Sequence, residues 1–141
     1  MQYAAVEAYE GNYEDYKFKT TNILKSVGNY VYTNLKSNKI LINPPQGGFY
    51  LMPEFLNSKF KTSSEMCDDI LSKSGVALLP GSDFGFKNDK MLTRLSFTDF
   101  DGDLFLKNIS GSIELDDDII KKYAPNVVEG TKKLAEWHKN L

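Results

Sequence analysis

Arg94 stands in a segment whose pattern is typical of a β-strand. Residues 92–97 alternate in polarity, so Arg94 and Ser96 share one face of the predicted strand. Leu95 and Phe97 share the other face, which we expect to be buried. A guanidinium fixed on a strand offers a planar fork to two carboxylate oxygens, which a lysine ammonium cannot match. The segment alone allows two interpretations: Arg94 binds a carboxylate, or it points into solvent from the open side of an antiparallel sheet.

Other residues that could bind a metal do not form a convincing pattern. Asp99, Asp101 and Asp103 alternate as calcium ligands do, but the sixth position of such a loop would be Leu104 instead of glycine. His138 stands in the last predicted helix without a Cys or His cluster nearby, so we expect a core or surface histidine. The sequence therefore predicts no metal site.

Helices are predicted on both sides of the strand segments. Residues 1–9 contain helix formers and stop at Gly11. Residues 13–37 place apolar side chains at three- and four-residue spacings, which is typical of a long amphipathic helix. Gly28 interrupts this helix, so either another backbone packs closely against it or the position merely tolerates glycine.

Three further helices carry start and stop signals. Thr62 and Glu65 form a capping box, and Gly75 is placed to end that helix. Acidic residues at 114–118 precede basic ones and complement a helix dipole, and Pro125 begins the last helix. The predicted buried faces of the long, capped and last helices are Thr20, Ile23, Leu24, Val27, Val31 and Leu35, then Cys67, Ile70, Leu71 and Ser74, then Val127, Val128, Thr131, Leu134, Ala135 and His138.

Short apolar runs between turn signals predict the strands. They lie at residues 39–42, 49–53, 76–79 and 92–97, and Pro80 with the following glycine ends the third. The last two strands are joined by a connection of about twelve residues, a length at which functional loops are common. The predicted fold class is α+β, a small and mostly antiparallel sheet flanked by helices.

Composition limits the classes of function. The 141 residues fit one domain, and 41% hydrophobic residues with 26% charged ones describe a folded globular chain. A net charge of −2 leaves no basic stripe for nucleic acid. Apolar runs fall far short of the roughly 20 residues that cross a bilayer, so no membrane partner is expected. The single cysteine, Cys67, cannot form an internal disulfide, which favours a reducing, cytoplasmic location. We expect it to pack as a small apolar residue on a helix face.

Three motifs in order resemble a known family. Residues 45–51 read PQGGFYL, residues 75–85 read GVALLPGSDFG and residues 93–97 read TRLSF. Together they resemble the class I aminotransferases of the aspartate aminotransferase type, which are fold type I enzymes dependent on pyridoxal 5'-phosphate. The resemblance implies that Arg94 binds the substrate α-carboxylate and that Phe84 lines the pocket.

The resemblance also implies which part of an enzyme this is. Residues 1–141 correspond to the C-terminal small domain, and the start at Met1 is expected to fall inside a longer product. The implied parent is a homodimer, built through the large domain, that transfers an amino group from an amino acid, aspartate-type or broader, to a 2-oxo acid.

The family's large domain supplies the lysine that holds the cofactor, an aspartate for its ring nitrogen and groups for its phosphate. Residues 72–75, SKSG, superficially resemble the lysine motif, but they end a capped helix. We therefore expect no catalytic or cofactor-binding residue in this chain, and no activity from the chain alone.

Two other functions fit the same residues. Relatives of these aminotransferases include lyases and decarboxylases that use the same carboxylate site, and fold does not decide between the reactions. Alternatively, the chain is a non-enzymatic module that binds carboxylates or another protein.

Overall fold

The computed structural model describes residues 2–56, 58–109 and 115–141. In these ranges the helices are α1 (Gln2–Glu10), α2 (Glu14–Leu35), α3 (Ser63–Ser74), α4 (Gly102–Asn108), α5 (Asp117–Tyr123) and α6 (Pro125–Lys139). The strands are β1 (Ile40–Leu41), β2 (Tyr50–Leu51), β3 (Glu54–Phe55), β4 (Leu79–Pro80) and β5 (Thr93–Ser96). A short 3-10 helix, Gly81–Phe84, follows β4. None of the helices in the described ranges is long and apolar enough to cross a membrane.

The sheet consists of two small antiparallel pieces. β5 lies between β2 and β4, whereas β1 pairs with β3. A single bridge between Glu54 and Leu92 connects the two pieces, and the amide of Thr93 donates to the carbonyl of Pro53 at 3.0 Å. Helices flank these strands, so the predicted α+β class with a mostly antiparallel sheet is confirmed.

The long helix α2 covers the inner face of the sheet. Its buried stripe contains Ile23, Val27, Val31 and Leu35, as the apolar spacing predicts, because side chains three and four positions apart share one face. Gly28 lies on the same face, and a Cβ atom there would lie 3.0 Å from Cζ of Phe97 and 3.2 Å from Cγ of Pro45. Close packing therefore accounts for this glycine, and the nearest atoms belong to side chains rather than to another backbone.

Caps define the shorter helices. Thr62 accepts a hydrogen bond from the amide of Glu65 at 3.2 Å, and Gly75 adopts a left-handed φ of 71° that ends α3. The carboxylate of Asp101 caps α4, and that of Asp116 caps α5. Pro125 begins α6 as predicted, whereas Glu114 of the predicted acidic start lies outside the described residues.

Two parts of the predicted core are wrong. Leu71 is 51% exposed, because α3 turns Met66, Cys67 and Ile70 toward the interior instead. On α6 the buried side chains include Trp137, which the predicted stripe omitted, while His138 is only half-buried. Both errors arise because a residue at the edge of an amphipathic stripe can lie on either side of the boundary.

The strands also differ from the prediction, most clearly at β4 and β3. The strand predicted at 76–79 forms instead at Leu79–Pro80, where Pro80 occupies an edge position that does not need its missing N–H. The strand β3 had no separate signal, because Pro53 interrupts the apolar run on its N-terminal side. These shifts leave the central strand β5 within its predicted bounds.

Candidate functional site

The register of the sheet brings a small set of side chains to its outer face. Tyr50 of β2 lies opposite Ser96, and Leu79 of β4 lies opposite Arg94. Residues directly opposite in antiparallel strands project to the same face, so these four side chains share it. Along β5 the alternation predicted from the sequence is confirmed, since Thr93 and Leu95 are buried while Arg94 is half-buried and Ser96 is exposed.

Arg94 lies between two aromatic rings on this face. Its guanidinium carbon is 4.3 Å from the centre of the Tyr50 ring and 4.3 Å from the centre of the Phe84 ring. Both distances are well within the range in which a cation is attracted by the negative face of an aromatic ring. The structure therefore brings Arg94 and Phe84 together, as the predicted site requires, and adds Tyr50.

The loop after β4 places Phe84 in this position. The amide of Gly81 donates to the carbonyl of Leu92 at 2.7 Å, and a Cβ atom at Gly81 would lie 2.8 Å from that carbonyl oxygen. A side chain at position 81 would therefore push the loop away from β5. Gly85, at φ 83°, then ends the 3-10 helix, so two glycines fix the segment that carries Phe84.

The guanidinium has unused hydrogen-bond donors. In residues 2–56, 58–109 and 115–141, no carboxylate lies within 4.0 Å of Arg94, and no acceptor takes a hydrogen bond from it. The exposed ion pairs of the same residue set all use lysines, for example Lys90 with Glu54 at 3.4 Å. A half-buried arginine with rings beside it and free N–H donors can bind an external carboxylate or another planar anion.

Apolar side chains surround the guanidinium and remain partly exposed. Tyr50 is 41% exposed, Phe84 39% and Leu79 45%. The ring of Phe49 lies 4.3 Å from that of Tyr50, measured between centroids. The neighbours of Arg94 are thus largely apolar, while the sheet face as a whole stays open to a ligand or to another protein surface.

The other candidate residues lie elsewhere and serve structural roles. Nζ of Lys73 pairs with Asp69 at 2.7 Å on the surface of α3, so the SKSG segment does not fit a cofactor site. Asp101 caps α4 and Asp103 pairs with Lys107. Groups of three or more metal-ligating side chains are absent from the described part of the chain.

Cys67 has the environment of an inert thiol. It is buried in α3, and burial raises its pKa to about 11, with further contributions from the negative charges of Asp68 and Asp83. The thiolate is the reactive form of cysteine, and this environment disfavours it. The prediction that Cys67 packs as a small apolar residue agrees with its place in the core.

Relatives of this chain are known as aminotransferases. The aspartate aminotransferase of Sulfolobus acidocaldarius is 32% identical over 100 residues, which make up 68% of this chain. The probable N-acetyl-LL-diaminopimelate aminotransferase of Bacillus subtilis is 34% identical over 96 residues, also 68% of this chain. The aspartate aminotransferase of Bacillus sp. strain YM-2 is 34% identical over 89 residues, or 60%. The chain is a relative of the aspartate aminotransferases.

Solved aminotransferase structures share its fold. The alanine aminotransferase of Pyrococcus furiosus matches 99% of this chain and 30% of its own with a TM-score of 0.67 at 22% identity. The aspartate aminotransferase of Rhizobium meliloti matches 96% of this chain and 30% of its own, with a TM-score of 0.66 at 18% identity. The resemblance inferred from the three motifs is thereby confirmed, although no protein-family model matches the chain.

The matches cover only part of each aminotransferase. The aligned residues make up 24% of the Sulfolobus and B. subtilis proteins and 22% of the Bacillus sp. protein. The chain therefore spans about a quarter of the length of these relatives. It has the fold of one portion of an aminotransferase.

Proposed function

We propose that this chain is the C-terminal small domain of a pyridoxal-phosphate-dependent aminotransferase and that Arg94 binds the α-carboxylate of the substrate. The observation that carries the proposal is the Arg94 guanidinium, which lies between two aromatic rings with its donors unused. Family kinship supports the reaction, since the relatives in sequence are an aspartate aminotransferase and a probable N-acetyl-LL-diaminopimelate aminotransferase.

In this proposal the chain binds and orients the substrate. Two N–H groups of Arg94 donate to the two carboxylate oxygens, which fixes both the position and the rotation of that group. The flanking rings of Tyr50 and Phe84 reduce the local water content, and this strengthens the ion pair. The amino group of an amino acid is then held in a defined direction for transfer to a 2-oxo acid.

The cofactor is held outside this chain. Pyridoxal phosphate supplies the electron sink of such reactions when it is bound. The one segment that resembles the family's lysine motif places Lys73 in an ion pair with Asp69, with its side chain 56% exposed. Those residues do not fit the cofactor, so the proposal assigns its binding to the rest of a longer, homodimeric protein.

Kinetics of the longer protein that carries this segment test the proposal. Replacing Arg94 with alanine should lower kcat/KM by at least about 30-fold, because loss of one partner of a desolvated ion pair costs about 2 to 5 kcal/mol. Arg94→Lys should recover only part of this loss, since an ammonium lacks the fork. Lys73→Arg is the matched control and should leave kcat/KM unchanged. An unchanged kcat/KM in Arg94→Ala would contradict the proposal.

The size of the native product separates this proposal from a stand-alone module. A native protein of ordinary two-domain length supports the enzyme, whereas a native product of 16.0 kDa, the mass of this chain, favours the module. Detection with an antibody against the chain, followed by measurement of the intact mass, decides between the two.

A further inference from the structure

Tyr50 and Phe84 come from separate elements and converge on one side chain. Tyr50 belongs to β2, and Phe84 ends the 3-10 helix after β4. Each ring centre lies 4.3 Å from the guanidinium carbon of Arg94. The central strand thus carries the cation, and a neighbour on either side of it contributes one ring.

Nearby aromatic residues do not share this arrangement. Phe86 is 42% exposed, close to the 39% of Phe84, but its ring lies beneath Nζ of Lys90 at 5.7 Å. Phe49 is 40% exposed, and its ring contacts that of Tyr50. Exposure alone therefore does not explain the pair of rings at Arg94.

We propose that Tyr50 and Phe84 are positioning residues that hold the Arg94 guanidinium ready for a carboxylate before any ligand is bound. This inference rests on the proposed function and adds an arrangement that acts through Arg94. A free arginine side chain has many rotamers, and ordering it on binding opposes affinity. Two rings in contact with the guanidinium reduce that disorder in advance.

The approach of the ligand follows from this geometry. Two rings lie 4.3 Å from the guanidinium carbon and limit how far the group can turn, and a carboxylate that approaches in its plane forms two parallel hydrogen bonds. Without the rings, the same side chain would bind anions as a mobile charge. The pair therefore sets affinity and orientation, and it needs no direct contact with the substrate.

The composition of the chain makes a direct test simple. Arg94 is the only arginine in the sequence, so the full chain labelled with nitrogen-15 gives one arginine Nε–H resonance in NMR spectra. Protons near the face of an aromatic ring shift upfield. We expect this resonance upfield of its value in the urea-unfolded chain.

Four variants identify the rings responsible. Phe84→Leu and Tyr50→Leu should each move the Nε–H resonance toward its unfolded value. Phe86→Leu is the matched control on the same loop, and Tyr50→Phe keeps the ring while removing the hydroxyl. Both should leave the resonance in place. Dispersion of the backbone amide signals verifies that each variant folds. Two results would overturn the proposal. One is an Nε–H resonance in the native chain at its unfolded position, and the other is a resonance in folded Phe84→Leu at the wild-type position.

Titration with sodium acetate against sodium chloride at equal ionic strength tests the link to carboxylates. The Nε–H resonance should respond to acetate, with an apparent Kd about two- to fivefold weaker in Phe84→Leu and Tyr50→Leu, as loss of one cation–π contact implies. Equal acetate affinity in these variants and in wild type would overturn the positioning role while the carboxylate site stands. No response to acetate in wild type would overturn the carboxylate site itself, and with it this inference.

Discussion

The indole nitrogen Nε1 of Trp137 donates a hydrogen bond of 2.8 Å to Oδ2 of Asp69. The bond joins the end of α6 to α3, and Lys73 pairs with the other oxygen of the same carboxylate at 2.7 Å. The indole also stacks on Phe60 and meets Phe55 edge to face. The hydrogen bonds that Lys73 and Trp137 donate to Asp69 hold the pKa of its carboxyl group below the usual value. Together with the ring contacts, they fix the last helix on the domain.

Trp137→Ala should therefore destabilise the chain strongly. Removing a buried aromatic side chain costs about 3 to 5 kcal/mol in the free energy of unfolding. Trp137→Phe should cost less, because it keeps a ring against Phe55 and Phe60 but loses the bond to Asp69. Urea unfolding followed by circular dichroism measures both, and equal stability of Trp137→Ala and wild type would contradict this role.

Two helical glycines should respond in opposite directions to alanine. At Gly28 the new methyl group would meet Phe97 at 3.0 Å, and Phe97 is only 1% exposed, so it cannot move away easily. Overpacking costs about 1 to 3 kcal/mol and outweighs the gain of about 1 kcal/mol in helix propensity.

At Gly130 of α6 the nearest atom to the new methyl group is 3.9 Å away, on Val76. Gly130→Ala should therefore raise the free energy of unfolding by up to about 1 kcal/mol, whereas Gly28→Ala lowers it. Urea unfolding measures the change in the free energy of unfolding for both variants. An increase in Gly28→Ala would contradict this prediction and show that Phe97 and Pro45 move aside for the methyl group.

His138 should make the chain less stable in mild acid. Neither ring nitrogen reaches a hydrogen-bond partner among the described residues. Burial lowers the pKa of His138 from 6.5, and the positive charge of Lys39 lowers it further. The folded state thus binds fewer protons here than the unfolded state, so this contribution to stability is complete above pH 6.5 and is lost as the pH falls below it.

This effect is measured by the free energy of unfolding of wild type and of His138→Phe at several pH values from about 7.5 to about 5.5. The variant should show the shallower pH dependence, because a phenyl ring cannot titrate. Asp69 does not interfere, since its lowered pKa places its own loss of stability below about pH 3.8. Parallel pH profiles would contradict the assignment to His138.

The chain alone should not hold the cofactor. Lys73, the lysine of the segment that resembles the family's motif, is engaged by Asp69. Incubation with pyridoxal phosphate, reduction with borohydride and mass spectrometry of peptides should show scattered, substoichiometric labelling. One lysine labelled stoichiometrically would contradict the assignment of the cofactor to the rest of the protein.

Local signals in the sequence predicted the helices well, because caps and apolar spacing act within a few residues. The N-cap at Thr62, the stop at Gly75 and the start at Pro125 form as predicted, although the Glu65 carboxylate accepts from the amide of Lys61 and not, as a full capping box requires, from that of Thr62. The side from which Arg94 projects also followed from alternation along β5 alone. Each of these features depends on neighbours in sequence.

Features that depend on pairing between distant segments could not be predicted. Tyr50 joins the site only because β2 pairs with β5 in a register that sets it opposite Ser96, and no local pattern fixes that register. For the same reason β3 had no distinct signal, since Glu54 and Phe55 become a strand through contacts with β1. Phe84 was a candidate only through the family resemblance.

The most direct test of the central claim measures the longer protein with two amino donors, an amino acid and the same amino acid with its α-carboxylate replaced by a neutral amide. The amide lacks the charge that Arg94 is proposed to bind. Arg94→Ala should lower kcat/KM for the amino acid by about 30-fold or more, while kcat/KM for the amide stays within about twofold of wild type, since a neutral group gains little from a cation. An equal fall for both donors, or no fall for the amino acid, would contradict the claim that Arg94 binds the substrate carboxylate.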